Sequence, residues 1–381
     1  MTDYLVKRVA QILVTLAIFH ALLFFLVVLQ PGDHIVPQIG NNLPRDVLER
    51  QREFFGLGKS PVERYVIYLK NTLTGDLGAS YSLYPMRVSD VIKERLPRTI
   101  VLFLTATVLS FYLGFALGKI IAWKRGSLVE HTATIGGVTL YTMFTPFVAL
   151  MVMWLFAFKL GWFPIGKFLD PRIWGDTSIE ANAVFNRMIA TALVIGLVTF
   201  VAYIAARKTR FRWSRLTAPA TFAASVAICA VVWSASGAGY LAIDIVKHMA
   251  LPVITLTLLS FASTMLLTRT SMLETMREDF VTAARAKGLS ESQVRDRHVA
   301  RNAMLPVVTS FIFSMAFAID GGIVIEAIFS WPGMGMTLVE SVRSEDVPLA
   351  VGAFAFIGVF ALAAHLVADI VYVYLDPRIR Y

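Results

Sequence analysis

Two kinds of residue in this chain could do chemistry: ionisable side chains inside apolar runs, and a basic segment between two such runs. Asp320 and Glu326 stand in the run 304–328, His20 in 9–29, and His365 with Asp369 in 349–372. A charge in hydrocarbon costs at least a few kcal/mol, which makes each a functional candidate by default. Asp320 falls about sixteen residues into its run, roughly 24 Å along a helix, toward the far side of the layer. It either lines a polar path and favours cationic groups, or pairs with a neighbouring helix. Glu326 lies about 240° further round and reads as an interfacial residue at the helix exit. His365 and Asp369, at i and i+4, can pair along one face; the sequence names no partner for His20.

The basic segment runs from Thr268 to Thr309. Glu274 to Lys287 is expected as one helix, with Met276, Phe280, Ala283 and Ala284 on one side and Glu278, Asp279, Arg285 and Lys287 elsewhere. Gly288 has no Cβ and permits a sharp turn. Ser290 can cap a second short helix that runs to about Asn302. Together they form a foot parallel to the membrane. Its small residues Ala283, Ala284, Ala286 and Gly288 admit another protein's backbone, and its cations can fix orientation. An amphipathic helix resting on lipid has the same spacing, so pattern alone leaves both readings open.

Other chemistries lack their residues. The chain carries no GxSxG, HExxH or CxxC, hence no candidate catalytic or metal-ligating set, and no GxxxxGK[ST] phosphate loop. Cys229 is the single cysteine and cannot form an internal disulfide.

The elements that position these residues follow from composition. Hydrophobic residues make up 57% and charged residues 16% of the chain, against roughly 25% charged in a soluble domain. Eight runs are long enough, at roughly 20 residues, to cross hydrocarbon as helices: 9–29, 100–121, 133–158, 188–206, 216–236, 249–268, 304–328 and 349–372. The first, preceded by Lys7 and Arg8, is too long for a signal sequence and has no cleavage site near Gln30-Pro31-Gly32. With the N-terminus in the cytoplasm, Lys119, Lys124, Arg125, the 207–215 cluster, the 269–303 loop, Arg378 and Arg380 all fall inside. The net charge of +9 needs no nucleic acid to explain it; basic flanks against anionic lipid suffice.

The long loop before the second run is expected to fold as a cap. Pro44 opens a helical pattern that Gly56 stops; Ser60-Pro61-Val62-Glu63 reads as a capping box ahead of a helix reaching Gly75. A third piece, Val88 to Leu96, leads into the next run.

Several segments together resemble one family. Ala283-Ala284-Arg285-Ala286-Lys287-Gly288-Leu289-Ser290, followed by Arg301-Asn302-Ala303-Met304-Leu305-Pro306, is similar to the coupling loop, or EAA motif, of ABC-importer permeases in the dipeptide and oligopeptide branch. Gly75-Asp76-Leu77-Gly78-Ala79-Ser80, Arg95-Leu96-Pro97, Trp331-Pro332-Gly333-Met334-Gly335 and Asp376-Pro377-Arg378 resemble the family's other signatures, in its order.

The resemblance implies an all-α polytopic membrane protein: a six-helix type I importer core, an inserted two-helix hairpin making eight spans, and a small helical extracytoplasmic cap. The segments would be a first span (1–30), the cap (31–99), core spans (100–158), the insertion (159–248, with spans 188–206 and 216–236) and the remaining core with its coupling loop (249–381). Coupling would fall to Phe280, Ala283, Ala284, Arg285, Ala286, Lys287 and Gly288, and binding-protein contact to Gly75, Asp76, Gly78 and Ser80. ATP and Mg2+ would sit on partner subunits, with no cofactor on this chain. The partners implied are a second homologous permease beside this B-type chain, two ATPase subunits, an extracytoplasmic substrate-binding protein and the bilayer. The setting is a prokaryotic cytoplasmic membrane, both termini inside, and the solutes are peptides, nickel chelates or related small molecules.

Two departures stand out: Thr282 where the general motif often has Glu, and the extra pair of spans. An even insertion returns the chain to the same side and leaves the coupling loop's polarity intact. The rival readings are an ion-coupled secondary transporter, for which no paired repeat surrounds Pro146 and Pro252, and an intramembrane enzyme, for which the motifs are missing.

Overall fold

The computed structural model describes residues 2–28, 49, 53, 59–175, 177–208, 214–317 and 322–375. Among them the protein is helical, with one isolated antiparallel bridge between Ala79 and Arg87. In chain order the helices are α1 (Thr2–Val28), α2 (Pro61–Leu73), α3 (Val88–Trp123), α4 (Leu128–Thr142), α5 (Thr145–Val152), α6 (Pro171–Trp174), α7 (Ala181–Lys208), α8 (Ser214–Ala235), α9 (Gly239–Thr275), α10 (Asp279–Ala286), α11 (Glu291–Gln293), α12 (Ala300–Phe317), α13 (Ile323–Ile328), α14 (Met334–Arg343) and α15 (Val347–Leu375). Met153–Lys159 and Val294–Val299 are wound as π-helix.

Six helices among the described residues are long and apolar enough to cross a membrane: α1, α3, α7, α8, α9 and α15; a bent pair brings the number to seven. Among the described residues, then, two of the eight expected runs, 133–158 and 304–328, do not stand as single straight helices. The run 133–158 bends by 108° between α4 and the helix that starts at Thr145. Met143 is extended there, at φ −67° and ψ 147°, and Pro146 falls in the first turn of the next helix, where its missing N–H leaves no hydrogen bond unmade. In the run 304–328 the described residues form α12 and, after a non-helical Gly322, α13; Asp320 lies outside the described residues.

The cap agrees with its sequence signals in one helix and differs in another. Ser60 caps α2 with the reciprocal box to Glu63. The Val88 piece does not stop before the following span. It is the first part of the 36-residue α3, with Pro97 inside. The 44–56 pattern lies almost wholly outside the described residues.

The described chain forms two compact units, Met1–Val152 with Pro252–Tyr381, and Met153–Leu251. In the first, a stripe of small residues on α3 lets α9 approach closely. Ser110 donates to Thr257 O at 3.3 Å, and a Cβ on Gly114 or Gly118 would lie 2.5 Å from Phe261 O or 2.6 Å from Met265 O. Backbones packed this closely gain dispersion contacts, the main attraction left to helices surrounded by lipid. Within the second unit, α7 and α8 form the hairpin, pinned where Trp233 Nε1 donates to Thr191 Oγ1 at 3.2 Å and Arg187 lies 4.8 Å over the Trp233 ring. Asp244 accepts from Asp170 N and Trp174 Nε1, at 3.0 and 2.9 Å.

Candidate coupling site

The foot forms, but not as one helix followed by another. After Thr275, Met276, Arg277 and Glu278 turn the chain, and α10 starts afresh behind an extended Glu278. Lys287 N and Gly288 N close its end on Ala283 O and Arg285 O, at 3.1 and 2.9 Å. Gly288 has φ +75° with nothing within 4 Å of a would-be Cβ, so the glycine answers to backbone conformation and not to space. Ser290 then caps α11 through a box with Gln293. From there the chain does not stop near Asn302; it continues through the π-helical turn into α12.

That π-helical turn has a packing reason. Val294 and Val299 are both fully buried, yet at α-helical pitch five residues are about 140° apart. Widening the turn brings i and i+5 onto one side. They join Val281, Ala284, Ala300 and Ala303, which pack with Ala122 of α3 and Met272 of α9. Phe115, Trp123, Leu273, Met276 and Leu289 flank this core. Each fully buried valine contributes about 1.5–3 kcal/mol.

Ion pairs add less. Lys119 of α3 holds Asp296 at 3.0 Å, Arg295 holds it at 2.8 Å, and Arg285 holds Glu291 at 3.0 Å. Exposed pairs of this kind contribute about 0–1 kcal/mol, so apolar contact fixes the foot and the charges set its rotation. The hydrogen bond from Arg295, then Lys119, brings the Asp296 carboxyl down to about 2. Behind the foot, Arg269 Nε donates to Glu130 Oε1 at 2.8 Å, tying α9 to α4. Ser271 donates to Ala303 O at 2.9 Å, tying α9 to α12.

This packing sorts the expected coupling residues. Phe280 (37% exposed), Ala283, Arg285, Ala286, Lys287 and Gly288 lie on the outside. Ala284 does not. It is 5% exposed and belongs to the foot's own core, because it follows the buried Val281 by one helical turn. Arg285 spends its guanidinium on Glu291 and lies 6.0 Å from the Trp123 ring.

Toward the other end of α3, at Arg95 to Thr99, about 35 Å along the helix from Ala122, the remaining motifs meet. Glu326, expected at an exposed helix exit, is fully buried. Its carboxylate accepts from Thr99 Oγ1 at 2.7 Å and Met336 N at 3.1 Å, while Met334 N donates to Thr99 Oγ1 at 2.7 Å. A Cβ on Gly333 would stand 2.3 Å from Glu326 Oε1. Buried Trp331 donates Nε1–H to Arg98 O at 3.3 Å, and Arg95 donates to Thr337 Oγ1 at 3.2 Å. The Arg95-Leu96-Pro97 and Trp331-Pro332-Gly333 segments thus form one latch.

A second buried carboxylate, Asp346, organises the Gly75–Ser80 segment. It accepts from Ser80 Oγ, from Ser82 N at 2.9 Å and Ser82 Oγ at 2.8 Å, and from Leu349 N at 3.1 Å, which caps α15. Among the residues expected to meet a binding protein, Gly75 and Asp76 are exposed and Gly78 is half-buried; Ser80 is buried and serves this carboxylate. Sequence reasoning missed Asp346, although Asp346-Val347-Pro348 carries the signal of an N-cap followed by proline in the first turn. His20 is buried with Nδ1 on Leu16 O at 3.0 Å, and His365 Nδ1 lies on Ala361 O at 2.7 Å; the Asp369 side chain and Asp376-Pro377-Arg378 lie outside what is described.

Residues 114–381 match the family described as the inner membrane component of binding-protein-dependent transport systems, and residues 1–105 match that family's N-terminal model. A peptide transport system permease protein of Brucella abortus is 30% identical over 384 residues, covering 100% of both chains. The oligopeptide transport system permease protein AppB of Bacillus subtilis is 26% identical over 382 residues, 100% of both. The di/tripeptide transport system permease protein DppB of Pseudomonas aeruginosa is 28% identical over 386 residues, 100% of this chain and 99% of its own. Since the first match spans well over half of the sequence and the Brucella abortus relative aligns end to end, the chain belongs to the family of binding-protein-dependent transport system inner membrane components.

Proposed function

We propose that this chain is one of two permease subunits of an ATP-driven importer of peptides or related small solutes. Two ATPase subunits, which hold ATP and Mg2+, receive the exposed surface of α10 and its turn: Phe280, Ala283, Ala286, Lys287 and Gly288. The termini and the foot lie in the cytoplasm. A substrate-binding protein docks on the opposite side, near Gly75 and Asp76, and delivers the solute to a path between the two permeases.

The observation that carries this reading is the foot's own core. Val281, Ala284, Val294 and Val299 lock it to Ala122 of α3 and Met272 of α9, and the chain runs unbroken into α12. A pull on α10 therefore moves three helices as a body, and closure of the ATPases becomes a tilt that exposes the path to one side and seals it from the other. A free amphipathic helix on lipid would need no such anchorage.

The experiment is cross-linking in the assembled transporter. Ala283→Cys should form a disulfide with a cysteine placed in the ATPase surface groove, with a yield that changes between nucleotide-free and ATP-bound states, and uptake should stop when the ATPase is made inactive by mutation. An ion-coupled secondary transporter would keep uptake with inactive ATPases and give no cross-link.

A further inference from the structure

α2 carries a row of apolar side chains that the described residues leave uncovered. Val62, Val66 and Leu73 are 67%, 58% and 79% exposed, and at about 100° per residue all three fall within about 40° of one another round the helix. We propose that α2 is an interfacial helix, with this row sunk into the acyl chains of the leaflet at the C-terminal end of α1.

Depth is set by α1. Its apolar stretch runs from Lys7 to Phe25, and Val14, Ile18 and Leu22, all more than half exposed, form a ridge along it. In a helix that crosses the bilayer such a ridge meets acyl chains. Phe25 tops the ridge, three residues past Leu22, and α2 lies over it. The Tyr65 ring centroid stands 5.8 Å from that of Phe25 and 5.5 Å from that of Phe24, and Tyr68 stacks on Phe24 at 5.3 Å. The Tyr65 hydroxyl reaches down to Ala17 O, at 3.5 Å, and Ala17 is about 12 Å below Phe25 along the helix. α2 therefore lies level with the end of the apolar stretch, at the boundary between hydrocarbon and headgroups, where tyrosine concentrates.

Rotation then decides which side meets lipid. Tyr65 and Tyr68 stand about 60–120° to one side of Val62 and face the protein, where Tyr68 is buried with Phe24 and Val351. Of the two, Tyr65 is nearer the row and points downward, so the row beyond it points down as well. Arg64 and Asn71 stand about 160–180° from Val62, on the upper side. The exposed Lys70 lies on the flank away from the protein, where its stem can follow hydrocarbon and its ammonium stay in water. A surface built to dock a soluble protein would turn its apolar row upward; this one turns down, in continuation of the ridge on α1. Because α2 ends at Thr74 and Gly75, its depth also sets the height of the exposed Gly75-Asp76 turn.

The test uses the complete transporter in liposomes, with Cys229→Ser and one new cysteine at a time carrying a bimane fluorophore. With a nitroxide on the lipid acyl chain at the depth of about 5–10 Å that an interfacial helix reaches, labels at Val62→Cys, Val66→Cys and Leu73→Cys should lose about half or more of their fluorescence, and the label at Asn71→Cys little of it. Iodide in the water should give the reverse order. Assembly is checked by size exclusion, and three positions on one row guard against a label that prevents assembly at any one of them. Stronger quenching by iodide than by lipid along the row would place it in water. Protection from both would assign it to a protein neighbour, the second permease or residues 29–58 of this chain, and a lipid signal lost on adding the substrate-binding protein would make it a docking surface. Each of these overturns the proposal. The reading of α10 as the ATPase contact is independent, because the cross-link at Ala283→Cys is measured separately.

Discussion

Lys119 and Asp296 meet at 3.0 Å, so the last turns of α3 and the π-helical turn of the foot share a charge contact in addition to their apolar core. The contact is partly exposed, and its energy is therefore small, about 0.2–1 kcal/mol for a pair of this kind. Its effect is on direction. It ties the rotation of the foot to the end of α3, and under the proposed function it would set the angle at which a pull on α10 reaches the span.

Reversing either charge should accordingly lower solute moved per ATP hydrolysed by about 1.4- to fivefold, the factor that 0.2–1 kcal/mol allows. Lys119→Glu and Asp296→Lys together should restore most of it. Uptake and ATPase activity measured in the same proteoliposomes give the ratio; a double variant no better than the singles would remove Lys119 and Asp296 from coupling.

The pH response of this contact has a definite sign. The Asp296 carboxyl is lowered from 3.8 to about 2, so its contribution is complete above the unfolded value and is lost as pH falls from about 4 toward 2. Amide exchange over Val294–Val299 should be slower in the unaltered chain than in Asp296→Asn at pH 7 and at pH 5. The difference should shrink below about pH 4 and close as pH reaches about 2. A difference that already closes by pH 5 would assign the protection to another group.

Neighbouring alanines on α10 should behave oppositely. Ala283→Trp adds bulk to an exposed surface and should leave the melting temperature unchanged while ATP-dependent uptake falls at least tenfold. Ala284→Trp overpacks the foot's core, at about 1–3 kcal/mol or more, and should lower the melting temperature. Thermal unfolding and uptake on both variants separate surface from core, and the assignment fails if both act through stability alone.

The Thr99–Glu326 latch predicts a graded series. Thr99→Val removes the donor to Glu326 Oε1 and the acceptor for Met334 N, leaving buried polar atoms unsatisfied at about 1–3 kcal/mol. Thr99→Ser keeps both bonds. The valine variant should melt several degrees below the serine variant in the same detergent; coincident melts would show that the hydroxyl contributes nothing.

Much was legible locally. The capping box at Ser60, the cap at Ser290 and the sharp turn at Gly288 rest on residues within three or four positions of each other, and the chain settles them wherever the helix lies. The long apolar helices are equally local, since a hydrophobic run either is or is not long enough to cross. The bend between Thr142 and Thr145 and the fresh helix start after Gly322 were not read, because a run that satisfies hydropathy does not report the direction of its axis.

By itself, then, the sequence determined a membrane-spanning helical chain, the foot and its turn, and a set of motifs pointing to one family. Tertiary structure alone decided that Ala283 faces outward and Ala284 inward. The two side chains are chemically identical, and only the rotation of α10 against Ala122 and Met272 distinguishes them. It also decided that Glu326 is a buried acceptor, that Asp346 gathers Ser80 and Ser82, and that Lys119 finds Asp296. Each of these joins residues remote in sequence, and spacing along one helix carries no information about which other helix will lie against it.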